Sequence, residues 1–207
     1  IASSIFQIDT IIDDFNEWSI SNKNLSKELN ILNSLLLKTG DLVNKLFSIQ
    51  QFEMNTQSLF IEQVKVTKLL DEELIMFKKR YPEIIFHSDF DDSIGYIQLD
   101  KVQFRQVIDN LINNSIKVIK KIKWEIFVSC KILWDNIEII FEDNWKWFSD
   151  IEVQKIFDKY STWSGSSIGL WMGLYLCKTI VELHWWNIQA SFWKKLWWAR
   201  IIITIPK

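Results

Sequence analysis

Asn110-Leu111-Ile112-Asn113-Asn114-Ser115-Ile116-Lys117, with Phe141-Glu142-Asp143-Asn144 further along, is the part of this 207-residue chain that decides its fold. The first stretch lies inside an apolar-periodic run, Val102 to Lys121, that predicts a strong helix. Asn110, Asn114 and Lys117 stand at i, i+4 and i+7, so they share one helix face. Two carboxamides and an ammonium so placed can hold a hydrated Mg²⁺ and a polyphosphate, because carboxamide oxygens suit hard cations. The competing reading is the solvated face of a surface helix. Asp143 closes a strand and is followed by the turn-like Asn144-Trp145-Lys146-Trp147.

Outward from this helix the chain alternates α and β. Leu59 to Val66 and Ile84 to His87 read as strands around a helix from Thr67 to Arg80. Glu125 to Ile132 and Asn136 to Glu142 form a hairpin, and a loop-rich stretch, 143–168, follows. A helix from Leu170 to Leu183 then leads to strands at Asn187 to Phe192 and Ala199 to Ile205. Helices alternating with mostly antiparallel strands predict a two-layer α/β sandwich over residues 56–207. Residues 1–55 differ: Ile5, Ile8, Ile12 and Phe15 make one helical stripe, and Leu29, Leu32, Leu36, Val43 and Phe47 make another beyond a polar break. A hairpin this narrow needs a partner, and pairing into a dimeric four-helix bundle is the natural solution. The expected fold class is α+β, a helical hairpin followed by the sandwich.

Composition excludes several classes. A formal net charge of −2 argues against nucleic acid as the main partner. No run approaches the length of a membrane span and no signal peptide is visible, so any membrane attachment is expected from a segment upstream. Cys130 and Cys177 sit in separate apolar stretches and read as buried free thiols of a reducing compartment, hence a cytoplasmic protein. The anomaly is twelve tryptophans against five glycines. Ten of the tryptophans, at 124, 134, 145, 147, 171, 185, 186, 193, 197 and 198, stand where the local turn, or the family resemblance described below, calls for glycine.

The order of segments carries a resemblance. After the asparagine helix and the Asp143 strand end come Ile156-Phe157-Asp158-Lys159-Tyr160, Ser164-Gly165-Ser166-Ser167 and Ile168-Gly169-Leu170-Trp171-Met172-Gly173-Leu174. Together these resemble the N, D-x-G-x-G, Phe and G-x-G-x-G-L boxes of sensor histidine kinases of two-component systems, and the resemblance covers essentially the whole chain. It implies the histidine kinase/Hsp90/gyrase type of ATP-binding domain. It implies ATP bound by Asn110, Asn114, Lys117, Asp143, Trp145, Trp147, Phe157, Gly169, Trp171, Gly173 and Leu174. Within that set Asp143 would accept from the adenine amino group, Asn114 would ligate Mg²⁺ with help from Asn110, and Lys117 would approach the phosphates. Gly169 and Gly173 would let lid and helix N-terminus close over the phosphates. The expected activity is autophosphorylation of a histidine and transfer to a response regulator, in a homodimer joined through the N-terminal helices. Ile1-Ala2-Ser3-Ser4-Ile5 resembles the stretch just after the acceptor His-Glu, which puts the phosphorylated histidine two residues before Ile1. His184 and His87 are expected to be structural. Asn110 also separates reaction classes: where related ATPases place a glutamate that activates water, asparagine cannot act as a base, which favours transfer over hydrolysis.

Taken literally, Trp145, Trp147 and Trp171 would fill the pocket that these boxes build. Two readings follow. Either tryptophan is written at UGA codons that the source reads as glycine, and the site is open, or the chain is a catalytically dead pseudokinase that serves as a dimeric scaffold.

Overall fold

The computed structural model describes residues 11, 23–53, 58–117, 124–144, 153, 155–159, 168–193 and 198–207, apart from the side chains of 23–24, 51–53, 168–171, 192–193 and 198. The chain forms two compact units, Ile1–Gln50 and Gln51–Lys207. Ile1 to Ile5 and the first helix of the expected hairpin lie outside the described residues, apart from the helical Ile11.

In the first unit the described element is α1, Lys23–Glu53, a helix of 31 residues. Its start falls at the end of the polar break. Leu32, Val43 and Phe47, all members of the sequence stripe, are exposed, as are Leu25, Leu35 and Leu46.

The second unit begins with β1 (Glu62–Val64) and α2 (Val66–Arg80). Then come β2 (Ile84–Phe90), β3 (Ile97–Leu99) and α3 (Lys101–Lys117). The hairpin β4 (Trp124–Leu133) and β5 (Asn136–Asp143) follows, then α4 (Ile168–Leu183), β6 (Asn187–Trp193) and β7 (Trp198–Pro206). The strand expected from Leu59 shrinks to three residues, with Phe60 85% and Ile61 47% exposed. It pairs only with β3, itself three residues long, as a separate antiparallel ribbon. The main sheet runs β2-β4-β5-β7-β6, antiparallel except for the parallel pair β2·β4.

The pleat of this sheet explains where the core lies. Alternate residues of β4 and β5 are buried, as period-two strands with one covered face require. Register aligns them into rows across three strands: Ile132, Ile137 and Ile205, then Cys130, Ile139 and Ile203, then Val128, Phe141 and Ile201. The last row is Ile126, Asp143 and Ala199. α3 packs against α4 and α2, and α3 also meets β5. Phe104, Val107, Ile108, Leu111 and Ile112 of α3 are at most 1% exposed, as are Leu174, Leu176, Cys177, Ile180 and Val181 of α4. Sheet on one side and helices on the other give the expected two-layer α/β sandwich. Asp143 is the one polar residue in those four rows, and it occupies the row at the end of β5.

Candidate functional site

α3 is fixed first at its N-terminus. Asp100 is its N-cap: Oδ1 accepts from the amides of Val102 and Gln103, both at 3.0 Å. An N-cap carboxylate satisfies amides that the first turn cannot pair and meets the positive end of the helix dipole. Its Oδ2 accepts from the Phe60 amide at 2.9 Å. The Asp100 amide in turn donates to Nε2 of His184 at 2.9 Å, and Nδ1 of His184 donates to the Ile180 carbonyl at 2.7 Å. An imidazole that accepts at Nε2 and donates at Nδ1 is neutral. Burial holds its pKa below the usual 6.5, against the opposing pull of the Ile180 carbonyl and of Asp100. Trp186 lies 4.8 Å from this ring and meets Phe104 edge-on at 5.5 Å. His184 therefore pins the end of α4 to the start of α3, a structural post.

Two and a half turns into α3 the helix pair is held differently. Asn110 is 5% and Asn114 1% exposed, so neither lies on a solvated face. Nδ2 of Asn110 donates to the Gln106 carbonyl at 2.9 Å, which leaves Oδ1 as the forward-facing atom. Opposite stands Gly173 of α4. A Cβ at that position would meet Asn110 Oδ1 at 3.2 Å and Asn114 Nδ2 at 3.4 Å. The missing side chain of Gly173 thus allows α4 to close on both carboxamides. Asn114 Nδ2 is buried with no hydrogen-bond partner among the described residues, and such an unpaired neutral group costs about 1–3 kcal/mol. Turning that carboxamide half a turn would offer Oδ1 instead and would cost Nδ2 no hydrogen bond. Asn110 and Asn114 can therefore supply the oxygen ligands that Mg²⁺ favours. Among the described residues no cluster of His, Cys, Asp or Glu could hold a metal.

The other expected site residues fall into three groups. Asp143 is 4% exposed and ends β5, where Asn144 extends the ladder: its amide donates to the Glu125 carbonyl, and its Oδ1 accepts from the Glu125 amide, both at 3.3 Å. Phe157 and Leu174 are buried, 7% and 0% exposed. Lys117 is the last residue of α3 and is exposed, whereas Asn110 and Asn114 are buried. Gly169 and Trp171 belong to the first turn of α4 by backbone, with their surroundings outside the described residues. Trp145 and Trp147 lie wholly outside them.

The remaining candidates are structural. Nε2 of His87 is 2.9 Å from Glu125 Oε2, and its ring stacks on Phe127, opposite it in the β2·β4 register, at 4.0 Å. Cys130 and Cys177 are buried thiols outside any disulfide among the described residues, Cys177 Sγ donating to the Val107 carbonyl at 3.7 Å, and burial pushes the Cys130 thiol up to about 12. Sequence reasoning missed Asp100. Its signal was present: an acidic N-cap followed three residues on by Gln103 is a capping-box pattern. Only half of that box is made, for Gln103 Oε1 has no partner among the described residues.

Comparison with known proteins places this geometry. Residues 99–207 match the family described as histidine kinase-, DNA gyrase B- and HSP90-like ATPase. The alginate biosynthesis sensor protein KinB of Pseudomonas aeruginosa is 26% identical over 145 residues, 69% of this chain and 24% of that protein. The signal transduction histidine-protein kinase AtoS of Escherichia coli is 28% identical over 163 residues, 76% of this chain and 26% of that protein. The chain thus spans about a quarter of the length of these curated relatives. Among solved structures, histidine kinase AdeS of Acinetobacter baumannii superposes with a TM-score of 0.67 at 18% identity, covering 98% of this chain and 96% of that one. Histidine kinase ThkA in complex with response regulator protein TrrA gives a TM-score of 0.68 at 19% identity, covering 100% and 59%.

Proposed function

The chain belongs to the histidine kinase-, DNA gyrase B- and HSP90-like ATPase family, as a sensor histidine kinase, and we propose that it transfers the γ-phosphoryl group of ATP to a histidine and thence to a response regulator. The observation that carries the ATP reading is the pair of carboxamides on α3, buried against Gly173, with Asn114 Nδ2 unpartnered among the described residues. A buried polar group left without a partner is explained when a ligand supplies one.

In this reading Asn114 and Asn110 hold Mg²⁺, which when bound neutralises charge on the phosphates. Asp143, the carboxylate at the end of the core-facing rows, accepts from the adenine amino group. Lys117, exposed at the end of α3, reaches the phosphates. Gly169 and Gly173 let α4 approach them backbone-first. Asn110 bonds the Gln106 carbonyl through its amide and cannot act as a general base toward water, which fits transfer by positioning and charge neutralisation. In the transfer the γ-phosphorus–oxygen bond breaks, ADP leaves, and a phosphorus–nitrogen bond forms on the acceptor imidazole.

The exposed apolar side chains of α1, Leu32, Leu35, Leu46 and Phe47 among them, support a homodimer joined through the N-terminal helices. The response regulator is the proposed partner for phosphotransfer, as ThkA is paired with TrrA. We place this core in the cytoplasm, with any membrane attachment through a segment outside this sequence. Among the described residues no helix is long and apolar enough to cross a membrane.

The alternative is a dimeric scaffold that binds no nucleotide, favoured if Trp145, Trp147 and Trp171 are the residues of the working protein. Melting the variant Trp145→Gly, Trp147→Gly, Trp171→Gly with and without Mg²⁺-ATP separates the two. At a hundredfold excess over Kd the ligand adds about 2.7 kcal/mol, or about 5–10 °C for a chain of this size. No shift would leave the scaffold, and phosphate release without an acceptor would indicate an ATPase.

A further inference from the structure

Among the described residues, two that are not glycine have positive φ, and both are tryptophan: Trp134 at 55° and Trp185 at 62°. For residues other than glycine this left-handed region is normally the preserve of Asn and Asp, whose short side chains bond locally. Trp134 is the first of the two residues joining β4 to β5, between the paired Leu133 and Asn136. Both favoured two-residue hairpin loops demand positive φ at that position. Trp185 follows α4, where its amide donates to the Glu182 carbonyl at 2.9 Å and the Trp186 amide to the Val181 carbonyl at 3.1 Å. That pair of bonds is the Schellman ending of a helix, whose left-handed residue is usually glycine.

The side chains gain nothing that would offset the strain. Trp134 is 94% and Trp185 91% exposed. Strain of this kind persists where the surroundings impose it or function uses it, yet here each indole stands in water. The backbone requires glycine at both positions while the side chains require nothing. Trp124 and Trp186 make the contrast, since both are 9% exposed and neither has positive φ. An exposed indole used for docking would explain the exposure but not the φ.

We propose that the native protein carries glycine at positions 134 and 185, each encoded by a UGA codon that its source translates as glycine. UGA is the triplet that one genetic code assigns to tryptophan and another to glycine, whereas UGG is tryptophan in both. The proposal does not rest on the kinase reading, because Trp134 lies at the opposite end of the hairpin from Asp143 and Trp185 beyond the far end of α4 from Gly169.

The test begins with the gene and with peptides from the native host. UGA at both codons, with peptide masses showing glycine at 134 and 185, is the expected result; UGG or a tryptophan mass at either position overturns it. A stability comparison on the 207-residue chain checks the physical argument independently. Trp134→Gly with Trp185→Gly should melt at least about 4 °C above Trp134→Ala with Trp185→Ala, because alanine removes the indole but keeps the left-handed penalty. Equal melting temperatures would mean that the fold does not impose positive φ, and the inference falls. Nucleotide binding does not enter either readout.

Discussion

α3 carries two buried polar clusters that differ in one respect. At its N-terminus the oxygens of the Asp100 carboxylate and both nitrogens of His184 have hydrogen-bond partners. In its middle, Asn110 satisfies its own amide on Gln106, while Nδ2 of Asn114 faces Gly173 with no partner among the described residues. Both clusters lie at the seam between α3 and α4. A saturated buried network holds a fold together, and an unsaturated one costs stability unless something else completes it. The first cluster is thus the anchor that positions the second, and the second is the site we propose for a ligand.

The comparison breaks most visibly at the anchor. His184→Ala strips partners from the Asp100 amide and the Ile180 carbonyl and opens a cavity beside Trp186. A loss of about 2–5 kcal/mol is expected in denaturant unfolding. A loss under 1 kcal/mol would mean the network is slack. Gly173→Val comes next. Its side chain would enter space where even a Cβ would sit 3.2 Å from Asn110 Oδ1. We expect about 1–3 kcal/mol of overpacking, together with weakened nucleotide binding, read by calorimetric titration.

Acid sharpens the contrast by a smaller amount. Burial keeps the His184 pKa below 6.5, so the unfolded chain binds the proton more readily than the folded one. The contribution is complete above about pH 6.5 and is lost as pH falls below it toward the folded value. Melting temperature should therefore decline on acidification below 6.5, and the decline should flatten in His184→Ala. An unchanged slope would assign the acid sensitivity elsewhere. The smallest effect is at Cys130: with its thiol pushed up to about 12, it should not react with a thiol reagent at neutral pH until the domain unfolds.

Much of this was legible in the residues. The 3.6-residue period of α3 and the alternation in β4 and β5 are strong because each element buries one face against the other layer. Asn110 and Asn114 were legible as sharing a helix face and Asp143 as closing a strand, but periodicity alone left the asparagine face as readily solvated as buried, and the structure buries it. Elements resting on few residues were not. β3 has three residues and exists only by pairing with β1, a long-range contact that no local pattern announces. The Asp100–His184 bond spans 84 positions, and its one local trace was the capping pattern at 100–103. Lys117 shares the asparagine face by periodicity, and the structure makes it the last residue of α3 with its side chain exposed. The tryptophans divide in the same way: the turn contexts of 134 and 185 are confirmed by positive φ, while Trp124 and Trp186 are buried.

The central claim is that the unpartnered carboxamide of Asn114 exists for a ligand and not for the fold. It is tested by Asn114→Leu, made in the chain with glycine at 145, 147 and 171. Leucine nearly matches asparagine in shape and leaves no orphaned donor, so the account predicts stability equal to or above that of the parent. It also predicts at least a tenfold loss of Mg²⁺-ATP affinity, about 1.4 kcal/mol. Unchanged affinity in a folded Asn114→Leu protein would contradict the account.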